Sequence, residues 1–153
     1  MLFRSPYNGL FKVKPKKVAK LADGDEHIAG IADLVYKPYT VAELKAAKVS
    51  DTGRFVQTEA LKIKELPEDK NYKVGSHWTI KVVSAADEDQ EINLYVNYHV
   101  GEESQTAIKA FLDDAKAGNK AFIFKGVLSA YNSNQITPVN TVGGNAAACF
   151  ILA

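Results

Sequence analysis

Lysines, amides and aromatic rings at two-residue spacing are the groups in this chain with the most specific chemistry. Lys62 and Lys64 form one set, and His77, Thr79 and Lys81 a second. Asn93, Tyr95, Asn97 and His99 form a third, and Lys125, Ser129 and Tyr131 a fourth. In each set apolar residues stand between, the alternation of a strand with one buried face. If the strands share one sheet, their polar faces join into a surface of cations, amides and rings, with no carboxylate among these residues. Such a surface suits single-stranded nucleic acid. Lysines meet phosphates, amides bond base edges or sugars, and rings stack on unpaired bases, each stacked base contributing about 1–3 kcal/mol with little regard to sequence. The competing expectation is an ordinary solvated or packed face, since tyrosine favours pleated surfaces in any case.

Two further segments carry the same chemistry. The loop Pro67–Ser76 (PEDKNYKVGS) holds Lys70, Tyr72 and Lys73. At the N-terminus Arg4, Lys12, Lys14, Lys16, Lys17 and Lys20 precede the first acid, Asp23, with Phe3, Tyr7 and Phe11 interleaved. This segment reads equally as a phosphate-contacting arm or as an edge strand kept from wrong pairing by its lysines.

Catalytic patterns are weak. His27, His77 and His99 lack metal-ligand spacing, although His77 and His99 could face each other across a hairpin. No phosphate loop and no GxSxG motif occurs. Asp113 and Asp114 are adjacent, which on a helix sets them about 100° apart and makes them solvated rather than an acid–base pair. The expectation is a protein that is not an enzyme and uses no metal or other cofactor.

The elements that position these residues follow from periodicity. His77–Ser84 and Glu91–Val100 read as strands around an acidic turn, Asp87, Glu88 and Asp89. Trp78, Ile80 and Val82 face inward on the first, and Ile92, Leu94, Val96 and Tyr98 on the second. Ala107, Ile108, Phe111, Leu112 and Ala115 then mark a helix, with Ser104 as N-cap and Gly118 as C-terminal stop. Ala121–Tyr131 returns to strand, Asn132–Gln135 is a turn, and Ile136–Val142 is a further strand interrupted by Pro138. Upstream, Asn8-Gly9 predicts a hairpin over 2–14. His27–Tyr36 reads as a strand with Gly30 a bulge, and Pro38 ends it. Thr40–Lys48 is a short helix with a Thr40/Glu43 capping box. Arg54–Leu66 is one extended run. The apolar end Ala146–Ala153 must be buried, either as a last strand on this sheet or against another subunit.

Length 153 suits one domain over 1–153, and 46% hydrophobic with 24% charged residues is ordinary globular composition. A net charge of +1 names no partner. The lone Cys149 allows no internal disulfide, suits a reducing compartment and reads as a buried small hydrophobe. No apolar run reaches the roughly 18 residues of a membrane span, and no secretory leader is apparent, so a cytoplasmic protein is expected.

Laid out in this order, residues 54–142 resemble an OB-fold: a five-stranded Greek-key barrel with a helix between its third and fourth strands. Arg54–Leu66, His77–Ser84 and Glu91–Val100 match strands one to three, Ser104–Ala117 the helix, and Ala121–Tyr131 and Ile136–Val142 strands four and five. The fold class expected is thus mainly β, with residues 1–52 as an N-terminal β extension carrying a short helix and 146–153 as an apolar C-terminal strand. The element order is similar to that of small single-stranded-DNA-binding proteins encoded by phages and plasmids. The resemblance implies a largely sequence-independent single-stranded-DNA-binding protein of replication or recombination, in the host cytoplasm if phage-encoded. It implies binding through the second and third strands and the loops Pro67–Ser76 and Tyr131–Gln135. RNA is the other polynucleotide this surface could take. Phosphate contacts fall to Lys62, Lys64, Lys81 and Lys125, supplemented by Lys12, Lys14, Lys16 and Lys17. Stacking falls to Tyr95, Tyr131 and Tyr72. A homodimer or higher oligomer is expected. The chain departs from bacterial single-strand-binding proteins in ending Phe150-Ile151-Leu152-Ala153 without acids nearby. The alternative function is a structural or assembly protein, such as a virion component or oligomerising module, that does not bind nucleic acid.

Overall fold

The computed structural model describes residues 3–7, 10–14, 38–140 and 144–153. The segment 27–36, expected as a strand with Gly30 a bulge, lies outside these residues, as do Lys16 and Lys17. The described chain is mainly β with one main helix.

The first two strands, β1 (Phe3–Tyr7) and β2 (Leu10–Lys14), pair antiparallel with Tyr7 opposite Leu10, the register expected around Asn8-Gly9. They form a sheet of their own. The other eight strands share one mixed sheet. They are β3 (Pro38–Tyr39), β4 (Phe55–Thr58), β5 (Leu61–Glu65), β6 (Trp78–Ser84), β7 (Glu91–Val96), β8 (Phe122–Tyr131), β9 (Ser133–Thr137) and β10 (Phe150–Leu152). Their order is β3-β4-β8-β5-β6-β7-β9, with β10 on β8 and a further β8–β9 pairing. The pairs β3–β4 and β7–β9 are parallel and the rest antiparallel.

Pro38 does not end a strand as expected. It opens β3, a short strand beside β4, where its missing N–H is tolerated at a first position. The run expected over Arg54–Leu66 divides at Glu59-Ala60. Phe55–Gln57 pair with Val127–Lys125, whereas Leu61 pairs with Phe122, one residue out of step. The break lets β4 lie along β8 while β5 turns onto β6.

The helix α1 (Val41–Ala46) has the expected capping box. The Thr40 hydroxyl accepts from the Glu43 N–H, and the Glu43 carboxylate accepts from the Thr40 N–H at 2.9 Å. Two turns cannot hold a helix by themselves. Val41 and Leu44 are fully buried in the main core, and the Asn134 amide donates to the carbonyls of Leu44 and Ala47, both at 2.8 Å. The extension therefore contributes core as well as strand.

The long helix α2 (Glu102–Ala117) starts two residues before the expected Ser104 cap, with Gly101 in the N-cap position at φ 95. Ser104 is buried instead. Its hydroxyl donates to Asn140 Oδ1 at 3.1 Å and accepts from the Ala146 N–H, tying the helix to the C-terminal segment. Gly118 ends the helix as expected, and Ile108, Leu112 and Ala115 face the core. Asp113 and Asp114 pair separately with Lys109 and Lys120, each at 2.8 Å.

Trp78, Ile80, Leu94, Phe122, Phe124 and Ile136 are fully buried and, with Val41, Leu44, Ile108 and Leu112, belong to one cluster. Each such side chain contributes about 1.5–3 kcal/mol by leaving water. Gly126 admits no side chain, since a Cβ there would stand 2.4 Å from the Phe124 ring and 2.7 Å from the Thr137 carbonyl. The turn expected over Asn132–Gln135 is tighter. Asn132 alone turns, at φ 62, and Ser133–Gln135 already belong to β9, which stops before Pro138 instead of reaching Val142. Past Pro138 the edge of β8 passes to β10, where Phe150, Ile151 and Leu152 face Phe124, Ile123 and Phe122. Only Phe150–Leu152 of the apolar terminus is a last strand on this sheet; Ala146–Cys149, expected within that strand, makes a 3-10 turn set by the Asn145 side chain, and Ile151 and Leu152 are exposed rather than buried. Cys149 is buried, its Sγ 3.4 Å from the Val139 carbonyl, and burial raises its thiol pKa. No helix among the described residues is long and apolar enough to cross a membrane.

Candidate nucleic-acid interface

Trp78 anchors the near end of β6, and around it the loop from Pro67 to Ser76 is tied down. Its indole N–H donates to the Lys73 carbonyl at 2.9 Å. Gln105, wholly buried on α2, takes the Gly75 N–H on Oε1 at 2.7 Å and donates Nε2 to the Ser76 carbonyl at 2.8 Å. One buried side chain thereby pins two backbone groups of the loop. Gly75 holds φ 89, a conformation that favours glycine. The loop delivers His77 to the outer face of the sheet.

Tyr72 corrects the sequence expectation. Only 7% exposed, it packs edge-on against Trp78 with ring centroids 5.1 Å apart, and the Lys109 ammonium lies 4.1 Å over its ring. Its hydroxyl is buried with no hydrogen-bond partner, and burial, then the Asp113 carboxylate, pushes the phenol pKa upward. A ring held in the core cannot stack on a base. A tyrosine in a lysine-rich loop looked like surface because the sequence does not show the loop folding back under α2.

Tyr98 moves the other way. Expected inward, it is 41% exposed. The strand β7 ends at Val96, and the chain then makes a single 3-10 turn, Tyr98–Val100. Asn97 sets that turn, its Oδ1 accepting the His99 N–H at 2.8 Å, and Gly101 closes it with its N–H on the Tyr98 carbonyl. The turn breaks the two-residue alternation and swings Tyr98 outward. Asn97, expected to read bases, has its carbonyl committed to this turn.

Four rings consequently meet at one end of the β6–β7 hairpin. The Tyr95 hydroxyl is 2.8 Å from His77 Nδ1, and the two rings stack with centroids 5.7 Å apart at 14°. Tyr98 lies 4.6 Å from His77 and 4.0 Å from His99, and the two imidazoles are 6.4 Å apart. His77, Tyr98 and His99 are exposed and Tyr95 is half-buried. Strand spacing alone suggests His77 opposite His99; the signals it misses are Asn97 and Gly101, which mark a turn inside the apparent strand.

The lysines of the same sheet are placed differently. Lys64 pairs with Glu91 at 2.6 Å, Lys81 with Glu65 at 2.8 Å, and Lys62 with Glu88 at 3.9 Å. The Lys64 hydrogen bond holds the Glu91 carboxyl below its ordinary pKa, and the Glu65 hydrogen bond raises that of Lys81. The carboxylate-poor surface expected from the sequence is therefore corrected to a ladder of ion pairs. For Lys81 the cause is a register shift between Ile63 and Glu65, which sets Glu65 opposite it; Lys62 and Lys64 meet Glu88 of the β6–β7 turn and Glu91 at the start of β7.

The remaining candidates scatter. Lys70 pairs with Glu68 at 2.7 Å in the exposed loop, and Lys73 is exposed. Asn93 is half-buried in a groove of about 260 Å3 beneath Lys45 of α1. Lys125 is half-buried on β8 opposite Gln57, two strands from Tyr95 by way of β9. Tyr131 is 56% exposed at the β8–β9 tip and touches no other ring among the described residues. Lys12 and Lys14 lie on β2. No group of three metal-binding side chains occurs among the described residues. Comparison of the chain with protein-family models, with curated proteins and with solved structures returns no match.

Proposed function

We propose that this is a single-stranded nucleic-acid-binding protein that captures its ligand by stacking bases on His77, Tyr95, Tyr98 and His99. The observation that carries the reading is the cluster itself: four rings gathered at one end of the β6–β7 hairpin, three of them exposed. The rings lean on one another and still leave faces open to water, and unpaired bases are flat, apolar partners for such faces. The pairings β5–β6, β6–β7, β7–β9, β9–β8 and β8–β5 support reading the central strands as a closed OB-like barrel with α2 between its third and fourth strands. In that reading Tyr95 lies on strand three, while His77 just precedes strand two and Tyr98 and His99 follow strand three, at one end of the face that suits a polynucleotide in such a barrel.

Stacking leads in this reading and charge follows, because Lys62, Lys64 and Lys81 already hold carboxylates. Each phosphate contact adds about 0.7 to the slope of log affinity against log salt for a single strand. A shallow salt dependence is expected. The test is fluorescence anisotropy of a labelled oligothymidylate, with a duplex of equal length as control. Preference for the single strand supports the reading; equal affinity for both, or no binding at low salt, overturns it.

One observation favours a second reading, an assembly protein without nucleic-acid affinity. Ile151 and Leu152 are 41% and 52% exposed on β10, whose one recorded strand partner is β8. Light scattering separates the two: a large oligomer that ignores oligonucleotides favours assembly.

A further inference from the structure

We infer that His77 and His99 together form a phosphodiester subsite, so that strand binding takes up protons. This rests on the reading that the neighbouring rings stack on a polynucleotide, and it assigns the backbone contact that the paired lysines leave open. His77 Nδ1 is engaged by the Tyr95 hydroxyl at 2.8 Å. Nε2 is then the nitrogen left for a ligand; in the imidazolium both nitrogens are donors, Nδ1–H to the Tyr95 oxygen and Nε2–H to the ligand. His99 stands edge-on to it, with centroids 6.4 Å apart. At that distance one phosphate can reach an N–H of each ring. Two imidazolium charges so close repel each other, and an anion between them removes the repulsion.

The surroundings leave this pair to be answered by a ligand. Around His77 stand Tyr95 of β7 and Tyr98 and His99 of the following turn, none of them anionic at neutral pH. Further along the outer face of β6 the next charges, Lys81 and Glu65, hold each other at 2.8 Å. Glu102 and Glu103 open α2 just beyond the turn, exposed, and neither forms an ion pair with an imidazole. Among the described residues no carboxylate pairs with His77 or His99. A bound phosphate favours the protonated rings, and by linkage protonation favours the bound strand.

The test measures oligothymidylate affinity from pH of about 5.5 to about 8 at fixed ionic strength, since thymine does not titrate in this range and an ordinary imidazole does. Affinity should be about tenfold higher at the acid end, the effect of one proton coupled over one pH unit. His77→Phe and His99→Phe keep a ring for stacking and lose the proton, so each should bind with a flattened pH profile. The double variant His77→Phe/His99→Phe should lose the pH dependence more fully than either alone. An uncharged methylphosphonate oligothymidylate should still bind but without pH dependence. A wild-type profile in both His77→Phe and His99→Phe, or the same profile with the uncharged strand, overturns the phosphate subsite and leaves stacking intact. No binding of any strand at any pH overturns both.

Discussion

The outer face of β5, β6 and β7, with the turn that follows β7, carries two regions of different chemistry. In one, three lysines pair off with three glutamates, two of the pairs across strands and the third from β5 to the β6–β7 turn. In the other, two tyrosines and two histidines lean on one another and leave ring faces exposed. The first region answers its own chemistry: each charge has a partner, and a ligand phosphate would have to displace a carboxylate to reach a lysine. The second answers only part of its chemistry. A count of lysines ranks the first region as the binding face, whereas their partners rank the second. Surface ion pairs contribute little stability, about 0–1 kcal/mol each, so the ladder serves as well to set strand register and blunt non-specific binding as to hold the fold.

The difference can be broken from the ring side first. Replacing Tyr95 and Tyr98 together by alanine should weaken oligonucleotide binding by about 2–6 kcal/mol, one base lost per ring. Tyr98→Ala alone should lower the melting temperature only slightly, because the side chain is 41% exposed and packs on two exposed imidazoles rather than on the core. Calorimetric melting beside anisotropy checks both.

A smaller effect is expected one layer deeper. Gln105→Ala strips the Gly75 N–H and Ser76 carbonyl of their partner and should cost about 1–3 kcal/mol of stability. Hydrogen exchange should quicken in the loop from Pro67 to Ser76 while the β6–β7 ladder stays protected. Equal loss of protection in both would show that loop and ladder are one unit.

Freeing the lysines sharpens the contrast from the other side. Glu65→Gln with Glu91→Gln should raise oligonucleotide affinity a few-fold at low salt and steepen the salt slope by about 0.7 for each lysine that finds a phosphate. An unchanged slope would mean that the strand never runs along the ladder.

The smallest effect is acid sensitivity. The folded pKa of Glu91 lies below its unfolded value, so its contribution is present above the ordinary glutamate range and is lost as pH falls through the folded value. Wild type should lose slightly more melting temperature than Glu91→Gln between neutral pH and about pH 3, within the range of an exposed pair.

Much of the architecture was legible in the sequence for simple reasons. Trp78, Ile80, Leu94, Ile108 and Phe124 repeat at strand or helix spacing, and burial follows the repeat. The Thr40/Glu43 box and the stop at Gly118 depend on neighbours in sequence and could be read locally. The site was less legible because it depends on where periodicity fails. The bulge between Ile63 and Glu65 turns one carboxylate outward, and the turn at Asn97 turns one tyrosine outward. Tyr72 was misplaced for a related reason: its burial comes from α2, more than 30 residues downstream by way of Lys109 and Asp113. Single residues that reset a register decide which side chains meet, and alternation carried past them assigns the wrong face.

The direct test of ring against ladder is the aromatic carbon–proton spectrum of the protein, recorded with the lysine and glutamate side-chain signals during addition of oligothymidylate. Stacking predicts that the largest shifts fall on His77, Tyr95, Tyr98 and His99 while Lys64, Lys81, Glu65 and Glu91 scarcely move. Shifts concentrated on those lysines and glutamates, with the four rings unperturbed, would contradict it.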